Sequence, residues 1–295
     1  MSPKKLVLAL VLSASLSATS CSKTDGVVRA ERPGAVPPDA ANATIVWTSG
    51  IPGGLQPNGV EAGSDAVSPS ESLLYEGRAG DARSSFVLRD LGVRTLDEIG
   101  APDPTASTVN GQDQVQFTEG SRSSIAWVDG VDRHAYLITG SLERGLLGRI
   151  AATFSHEGSP GPWPGPHDPE GAWNLIGQAD AISYWSLFSE PSSSPPLGSK
   201  RFMFVDPSAP SRTLGITISQ GSPGEAEVLA ALMPAPRDLG PVSGRGTGGH
   251  ASCQTSACEA GAGVWASSGL TVVMQWTGLS RQIIEQTLAS MVVGS

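Results

Sequence analysis

Lysine is almost missing from this chain: only Lys4, Lys5, Lys23 and Lys200 occur, against fifteen arginines. Acids outnumber bases 28 to 19, giving a formal charge of −9. A surface of that sign repels nucleic acid and anionic lipid, so neither is an expected direct partner of the folded body. Histidine is equally sparse, and none of the four lies in a recognisable catalytic or metal-binding motif. No GxSxG turn occurs to present a serine nucleophile. The glycine-rich run Gly244-Arg245-Gly246-Thr247-Gly248-Gly249 lacks the lysine and the following helix of a phosphate loop. No cofactor, metal site or catalytic residue is therefore expected from motifs. The longest apolar stretch of the N-terminus, Leu6 to Ala14, falls far short of the roughly 20 residues that span a bilayer as a helix.

What that stretch does have is context. Lys4 and Lys5 precede it, and the small residues Ser15-Leu16-Ser17-Ala18-Thr19-Ser20 follow it into Cys21. A charged start, an apolar centre and a small-residue cleavage site are the parts of a signal peptide, here 1–20. The tetrad Ala18-Thr19-Ser20-Cys21 resembles a lipobox, at which bacterial lipoproteins are acylated on the cysteine and cut just before it. The resemblance implies a cell-envelope protein whose membrane partner is reached through lipidated Cys21. Ala18 stands where leucine or valine is usual, so cleavage by ordinary signal peptidase, leaving a secreted protein, is the alternative. Loss of the signal removes two lysines and no acid, leaving 17 bases, 28 acids and a formal charge of −11.

Two further cysteines, Cys253 and Cys258, share a Ser/Thr/Ala loop. In an oxidising compartment such a pair is expected to be a disulfide. A loop this short contributes about 2 kcal/mol in the chain-entropy picture, so it clips a loop and does not hold the fold. Residues 21–41 are polar, small or proline and are expected to be a disordered tether reaching on the order of 25 Å.

The body carries an internal repeat. Trp127, Thr139, Gly140 and Ala151 recur as Trp265, Thr277, Gly278 and Ala289, all 138 residues later. Upstream, Leu73-Leu74-Tyr75-Glu76 followed by Arg83 to Leu88 parallels Phe202-Met203-Phe204-Val205 followed by Arg212 to Thr217. In each unit β-branched and aromatic runs flank turn residues, which predicts hairpins. Short helical turns are expected at Leu96 to Ile99 and Ala226 to Met233. Each unit then closes in an amphipathic helix, with Leu142, Leu146, Ile150 and Phe154 on one stripe and Ile284, Leu288 and Val292 on the other. A stripe must cover something apolar, and the preceding sheet is at hand. The expected fold is α+β: two tandem repeats, 42–157 and 172–295, each an antiparallel sheet backed by its C-terminal helix. The proline- and glycine-rich run 158–171 is expected to link them.

Two candidate sites remain. Trp163, Trp173 and Trp185 fall outside the repeat, beside the linker, where aromatics can line a ligand groove or plug a seam. His156, Glu157, His167, Asp168 and Glu170 offer ligands for a hard or borderline metal.

The run Ile125-Ala126-Trp127-Val128, then Tyr136-Leu137-Ile138-Thr139-Gly140 and a helix ending at Phe154, resembles a closing motif of extracytoplasmic bacterial domains. It is similar to the curved-sheet carriers and sensors of the LolA and MucB type, and the resemblance transfers no catalytic residue. The function expected is a non-enzymatic, lipid-anchored binding protein of the cell envelope, holding a protein or an apolar ligand. The alternative is an extracytoplasmic hydrolase or metal-dependent enzyme using the His156 to Glu170 region.

Overall fold

Alternating apolar residues build the body of this protein, and the two faces of each sheet go to different helices. The computed structural model describes residues 40–64, 72–79, 82–93, 95–109, 112–119, 121–129, 133–154, 167–168, 171–189, 193–222, 224–233, 237–238, 249–254 and 257–294. All belong to one unit spanning 36–295. The expected signal peptide, Cys21, most of the tether, Trp163 and the side chains of the His156 to Glu170 group lie outside the described residues.

Along the chain the strands and helices are β1 (Thr44–Trp47), β2 (Gln56–Ala62), β3 (Ser72–Ala79), β4 (Ala82–Val93), β5 (Thr105–Val109), β6 (Gln112–Glu119), β7 (Arg122–Val128), β8 (His134–Gly140) and α1 (Arg144–Thr153). They continue with β9 (His167–Asp168), β10 (Gly171–Ala172), β11 (Asn174–Ala179), α2 (Ala181–Phe188), β12 (Ser199–Asp206), β13 (Ala209–Gln220) and α3 (Glu225–Leu232). The last are β14 (Arg237–Asp238), β15 (His250–Cys253), β16 (Ala260–Ser267), β17 (Leu270–Thr277), α4 (Arg281–Ser290) and β18 (Met291–Gly294).

The fold is α+β with antiparallel sheets, as the alternation predicts. Sheet I runs β11-β3-β4-β8-β7-β6-β5 and sheet II runs β2-β12-β13-β17-β16-β15-β14. Beyond the edge strand, each order is a hairpin followed by a run of strands taken backwards along the chain. Sheet I packs Phe86, Leu88, Ile125, Trp127 and Ile138 against Leu146, Leu147, Ile150 and Phe154 of the α1 region. Sheet II packs Leu214, Ile216, Trp265, Val272 and Met274 against Ile284 and Leu288 of α4. Fully burying a leucine or isoleucine contributes about 1.5–3 kcal/mol, so each stripe is a large share of its layer's stability.

The opposite faces of the sheets meet a layer that periodicity did not foretell. Leu74 and Val87 of sheet I and Val264 and Val273 of sheet II share one core with Ala226, Val228 and Leu229 of α3 and Leu187 of α2. The layers thus run α1, sheet I, α2 with α3, sheet II, α4. Asp180 starts α2 by accepting the Ser183 amide at 3.0 Å, and Gln275 of sheet II donates to the carbonyls of Leu187 at 3.2 Å and Ser189 at 2.8 Å at its end. Both are capping arrangements that satisfy helix-terminal backbone groups.

Several expectations need correction. The stripe of α4 stops at Leu288: the helix ends at Ser290, and Val292 lies in β18, paired with Val46 of β1. Two consecutive valines favour the strand once a partner is available. The limits 42–157 and 172–295 are crossed in both directions, since β2 completes sheet II and β11 completes sheet I. In the first hairpins the parallel holds for the first strands, where Tyr75 and Phe204 both face the closing helices, but past the bulge at Val205 and Asp206 the second strands are out of step by one residue. There the parallel matches Phe86, which faces α1, with Gly215, whose neighbours Leu214 and Ile216 are the ones facing α4. An odd shift exchanges the two faces of a strand. Trp127 and Trp265 both face their closing helices, but in different registers. Trp127 pairs with Tyr136, whereas Met274, 138 residues beyond Tyr136, pairs with Gly263. Residues 129–133 connect the first pair of strands and only Ser268-Gly269, both at positive φ, the second. Such a two-residue primed turn matches strand twist. Ala40, the first described residue and within the expected tether 21–41, is buried in the sheet II core.

Candidate functional site

Of the three tryptophans singled out by the sequence, the two described ones, Trp173 and Trp185, lie on different sides of sheet I. Trp173 is 7% exposed on the α1 side of sheet I, its ring 5.0 Å from that of Phe86. Trp185 lies on α2, between the sheets, with the Arg201 guanidinium 5.6 Å from its ring centre. Trp163 lies outside the described residues. Cys253 and Cys258 form a disulfide-capable pair, with Cα atoms 4.7 Å apart, and the Trp276 indole donates to the Cys258 carbonyl at 2.9 Å. His167 and Asp168 sit in the two-stranded ribbon of β9 and β10. Among the described residues no three of His, Cys, Asp and Glu converge as metal ligands.

A polar seam between α2, α3 and sheet II escaped the sequence. Glu225 is 1% exposed at the first turn of α3. One carboxylate oxygen accepts from the Ser222 amide at 2.8 Å and the Thr271 hydroxyl at 2.5 Å. The other is buried without a hydrogen bond. Burial pushes this carboxyl above the usual glutamate range and the negative charge of Asp180 adds to that; the Thr271 and Ser183 hydroxyls and the Ser222 amide oppose it. Ser183 also shares a 3.1 Å hydrogen bond with Ser219. Nearby on β12, Arg201 is 1% exposed and donates to Thr217 at 3.1 Å and to the Ser193 carbonyl at 2.5 Å. Burial lowers its proton affinity and Glu61, its cross-strand neighbour on β2, opposes that. Arginine still stays charged. Desolvation offsets much of what a buried charge gains from its partners, so such groups are weak evidence of stability.

The feature best suited to meeting another molecule is the edge of sheet I. β11 ends that sheet, and its pairing with β3 breaks between Leu175 and Gly177. Leu175 stands opposite Tyr75 on the α1 side, whereas Gly177 stands opposite Leu74 on the α3 side. The bulge leaves Ile176 outside the ladder. Bulges at sheet edges re-aim side chains in this way. Leu175 is 54% and Ile176 39% exposed. Behind them, backbone meets backbone: a Cβ on Gly177 would lie 2.5 Å from the Gly224 carbonyl oxygen. Gly224, at φ +73°, lets the chain turn into α3 at that point. Two other sheet edges differ. β2 carries Pro57, Gly59 and Glu61 with its own register break, and β5 is polar, with Ser107 and Thr108 bonded to Gln116 and Asp113. An edge strand exposes unpaired amides and carbonyls, and proline and charge are the usual guards. β11 has neither.

No protein-family model matches this chain, and no curated protein matches it. Among solved structures, the chain is similar to immunity protein TplEi of T6SS from Pseudomonas aeruginosa complexed with "L" peptide, at 10% identity and a TM-score of 0.20, covering 75% of this chain and 91% of that one. The complex of Pseudomonas aeruginosa MucA and MucB matches at 10% identity and a TM-score of 0.17, covering 76% and 93%. MucB in complex with MucA(peri) matches at 10% identity and 0.16, also covering 76% and 93%. MucB is thus among the matches, in loose agreement with the closing-motif resemblance, but at such TM-scores the likeness carries no argument.

Proposed function

We propose that this chain is an exported, lipid-anchored, non-enzymatic binding protein of the cell envelope that holds a protein partner at the β11 edge of sheet I. The observation that carries this is the exposed pair Leu175 and Ile176 on a sheet edge without proline or charge. Export and anchoring rest on the charged, apolar and small-residue segments that lead into Cys21. No helix among the described residues is long and apolar enough to cross a membrane, and the proposed attachment is the lipid on Cys21. The body is read as a tandem duplication whose copies exchange edge strands. The shared succession of strands in sheets I and II supports that. A disulfide between Cys253 and Cys258 belongs to the same account, supported by their 4.7 Å Cα separation.

Photocrosslinking in the native envelope tests the binding role. A benzophenone side chain at position 176 is expected to give a discrete protein adduct and one at position 60, on β2, none. An absence of adducts at both positions would remove the proposed role.

A further inference from the structure

We infer that the buried carboxyl of Glu225 is a pH-sensitive latch that seats the first turn of α3 against the edge strand β11. Its meaning as regulation rests on the binding role proposed above, whereas the latch is a property of the fold. One side chain joins three parts of the molecule. Glu225 opens α3 and is 1% exposed. Its bonded oxygen takes the Thr271 hydroxyl of β17 and the Ser222 amide, and its own amide returns to the Ser222 carbonyl at 3.1 Å. This reciprocal pair closes the turn into the helix as a capping box does. Gly221, one residue earlier, donates to the Gly269 carbonyl at 2.8 Å and fastens the same turn to the β16–β17 hairpin.

The turn so held carries Gly224, and Gly224 meets the edge strand. A Cβ on Gly177 would lie 2.5 Å from the Gly224 carbonyl oxygen, and a Cβ on Gly224 would lie 2.5 Å from the Ile176 carbonyl oxygen. Movement of Glu225 therefore reaches β11 through backbone, not through flexible side chains, and it arrives at the bulge that sets the exposed Ile176.

The second carboxyl oxygen supplies the switch, because it is buried without a hydrogen bond. A neutral carboxyl is tolerated there; a carboxylate is a buried charge with an unmet acceptor, which costs far more. On ionisation water must enter or the turn must leave. No cation stands ready to compensate. Among the described side chains, the charged or titratable groups on strand faces turned to this layer are Glu76 and Arg78 on β3, Arg89 on β4, Arg201 on β12 and His250 on β15. Strands β11, β16 and β17 carry none, and Glu227 of α3 is exposed. Arg89 lies over the Tyr184 ring at 3.9 Å, and Arg201 is bonded to Thr217 and Ser193. Burial raises the proton affinity of Glu225, and the charge that adds to it is Asp180, at the start of α2. Below the ordinary glutamate range the carboxyl is neutral with the turn seated or released, and the latch has its full strength. Between that range and the raised value, release of the turn also releases a proton, so the opening equilibrium grows about tenfold per pH unit. Above the raised value it levels off.

Hydrogen–deuterium exchange of the full chain from about pH 4 to about pH 8 tests this, read as protection factors so that the intrinsic pH dependence of exchange divides out. Protection at 174–179 and at 225–232 is expected to fall together, by about tenfold per pH unit within the window, while β5 and β6 keep theirs. Glu225→Gln, whose native-like circular dichroism is checked first, is expected to hold one level throughout. Asp180→Asn keeps a residue able to cap α2 and removes the neighbouring charge, so its protection is expected to level off at lower pH than in the parent. Protection at 174–179 that ignores pH, a fall shared equally by β5 and β6, the same fall in Glu225→Gln, or an Asp180→Asn profile identical to the parent's would each overturn the inference. If 174–179 responds to pH but position 176 forms no envelope adduct, the latch stands and the binding role falls. If adducts form and 174–179 ignores pH, the latch fails and the binding role stands.

Discussion

Alanine at position 177 measures how firmly the middle layer holds the edge strand. The added Cβ would lie 2.5 Å from the Gly224 carbonyl oxygen, 2.9 Å from its carbonyl carbon and 3.0 Å from a Val228 methyl. Two of these neighbours are backbone atoms, so no rotamer change relieves the contact. Ordinary packing distances would return only if the first turn of α3 moved by about 1 Å. Overpacking of this kind costs about 1–3 kcal/mol, and movement of backbone places Gly177→Ala near the upper end. The smaller unfolded-state entropy of alanine offsets about 0.4–1 kcal/mol of it, leaving a net loss of roughly 2 kcal/mol. Gly224→Ala meets the Ile176 carbonyl oxygen at 2.5 Å and the Gly177 Cα at 2.6 Å. Its φ of +73° adds about 1 kcal/mol more. Gly54→Ala is the control, because φ is +76° there but nothing lies within 4 Å of the new atom. Urea unfolding of the three variants, compared at unchanged m-value, is expected to rank them Gly54, Gly177, Gly224 in order of increasing loss. A Gly177→Ala protein within 0.5 kcal/mol of the parent would show that α3 does not press on β11.

Ile150→Ala and Leu288→Ala, each buried beneath a closing helix, are expected to cost roughly 2–5 kcal/mol; Arg149→Gln and Gln286→Glu, on exposed helix positions, should stay within about 0.5 kcal/mol, as urea midpoints will show. Glu225 has a folded-state pKa raised mainly by burial, so the folded protein holds this proton more tightly than the unfolded chain. Its ionisation therefore removes stability as pH rises from the ordinary glutamate range through the raised value. Glu225→Gln is expected to flatten that decline, and parallel pH profiles for variant and parent would refute the assignment. Non-reduced peptide mapping of exported protein is expected to recover Cys253 and Cys258 in one cross-linked fragment; two free thiols would contradict the pairing. The parent is expected in the detergent phase of a cloud-point partition and Cys21→Ala in the aqueous phase, and the tethering account fails if both remain aqueous.

What was legible in the sequence followed from local periods. Ile150 and Phe154, with Leu142 and Leu146, announce α1 because a four-residue spacing sets them on one helix face, and Leu214-Gly215-Ile216-Thr217-Ile218 announces β13 by strict alternation. Of the middle layer, α3 was expected as the helical turn Ala226 to Met233, but its place between two sheets was not legible, and α2, only eight residues long, was missed. Burial from two sheets at once erases the amphipathic signal. Asp180 before Ala181-Ile182-Ser183 was a helix-start signal available to find α2. β11 was hidden for another reason: the bulge at Ile176 and the glycine at 177 break the alternation that marks a strand. The exchange of β2 and β11 between the units, like the seam of Glu225, Ser183 and Thr271, depends on contacts between distant segments that no local pattern encodes.

Hydrogen–deuterium exchange of the full chain, with and without the envelope protein captured by crosslinking at position 176, tests the central claim most directly. The account requires exchange to slow in fragments covering residues 174–179 while those covering β2 and β5 stay unchanged, because the partner covers only the β11 edge. Slowing at β2 or β5 instead, or no slowing at 174–179 under saturating partner, would contradict it.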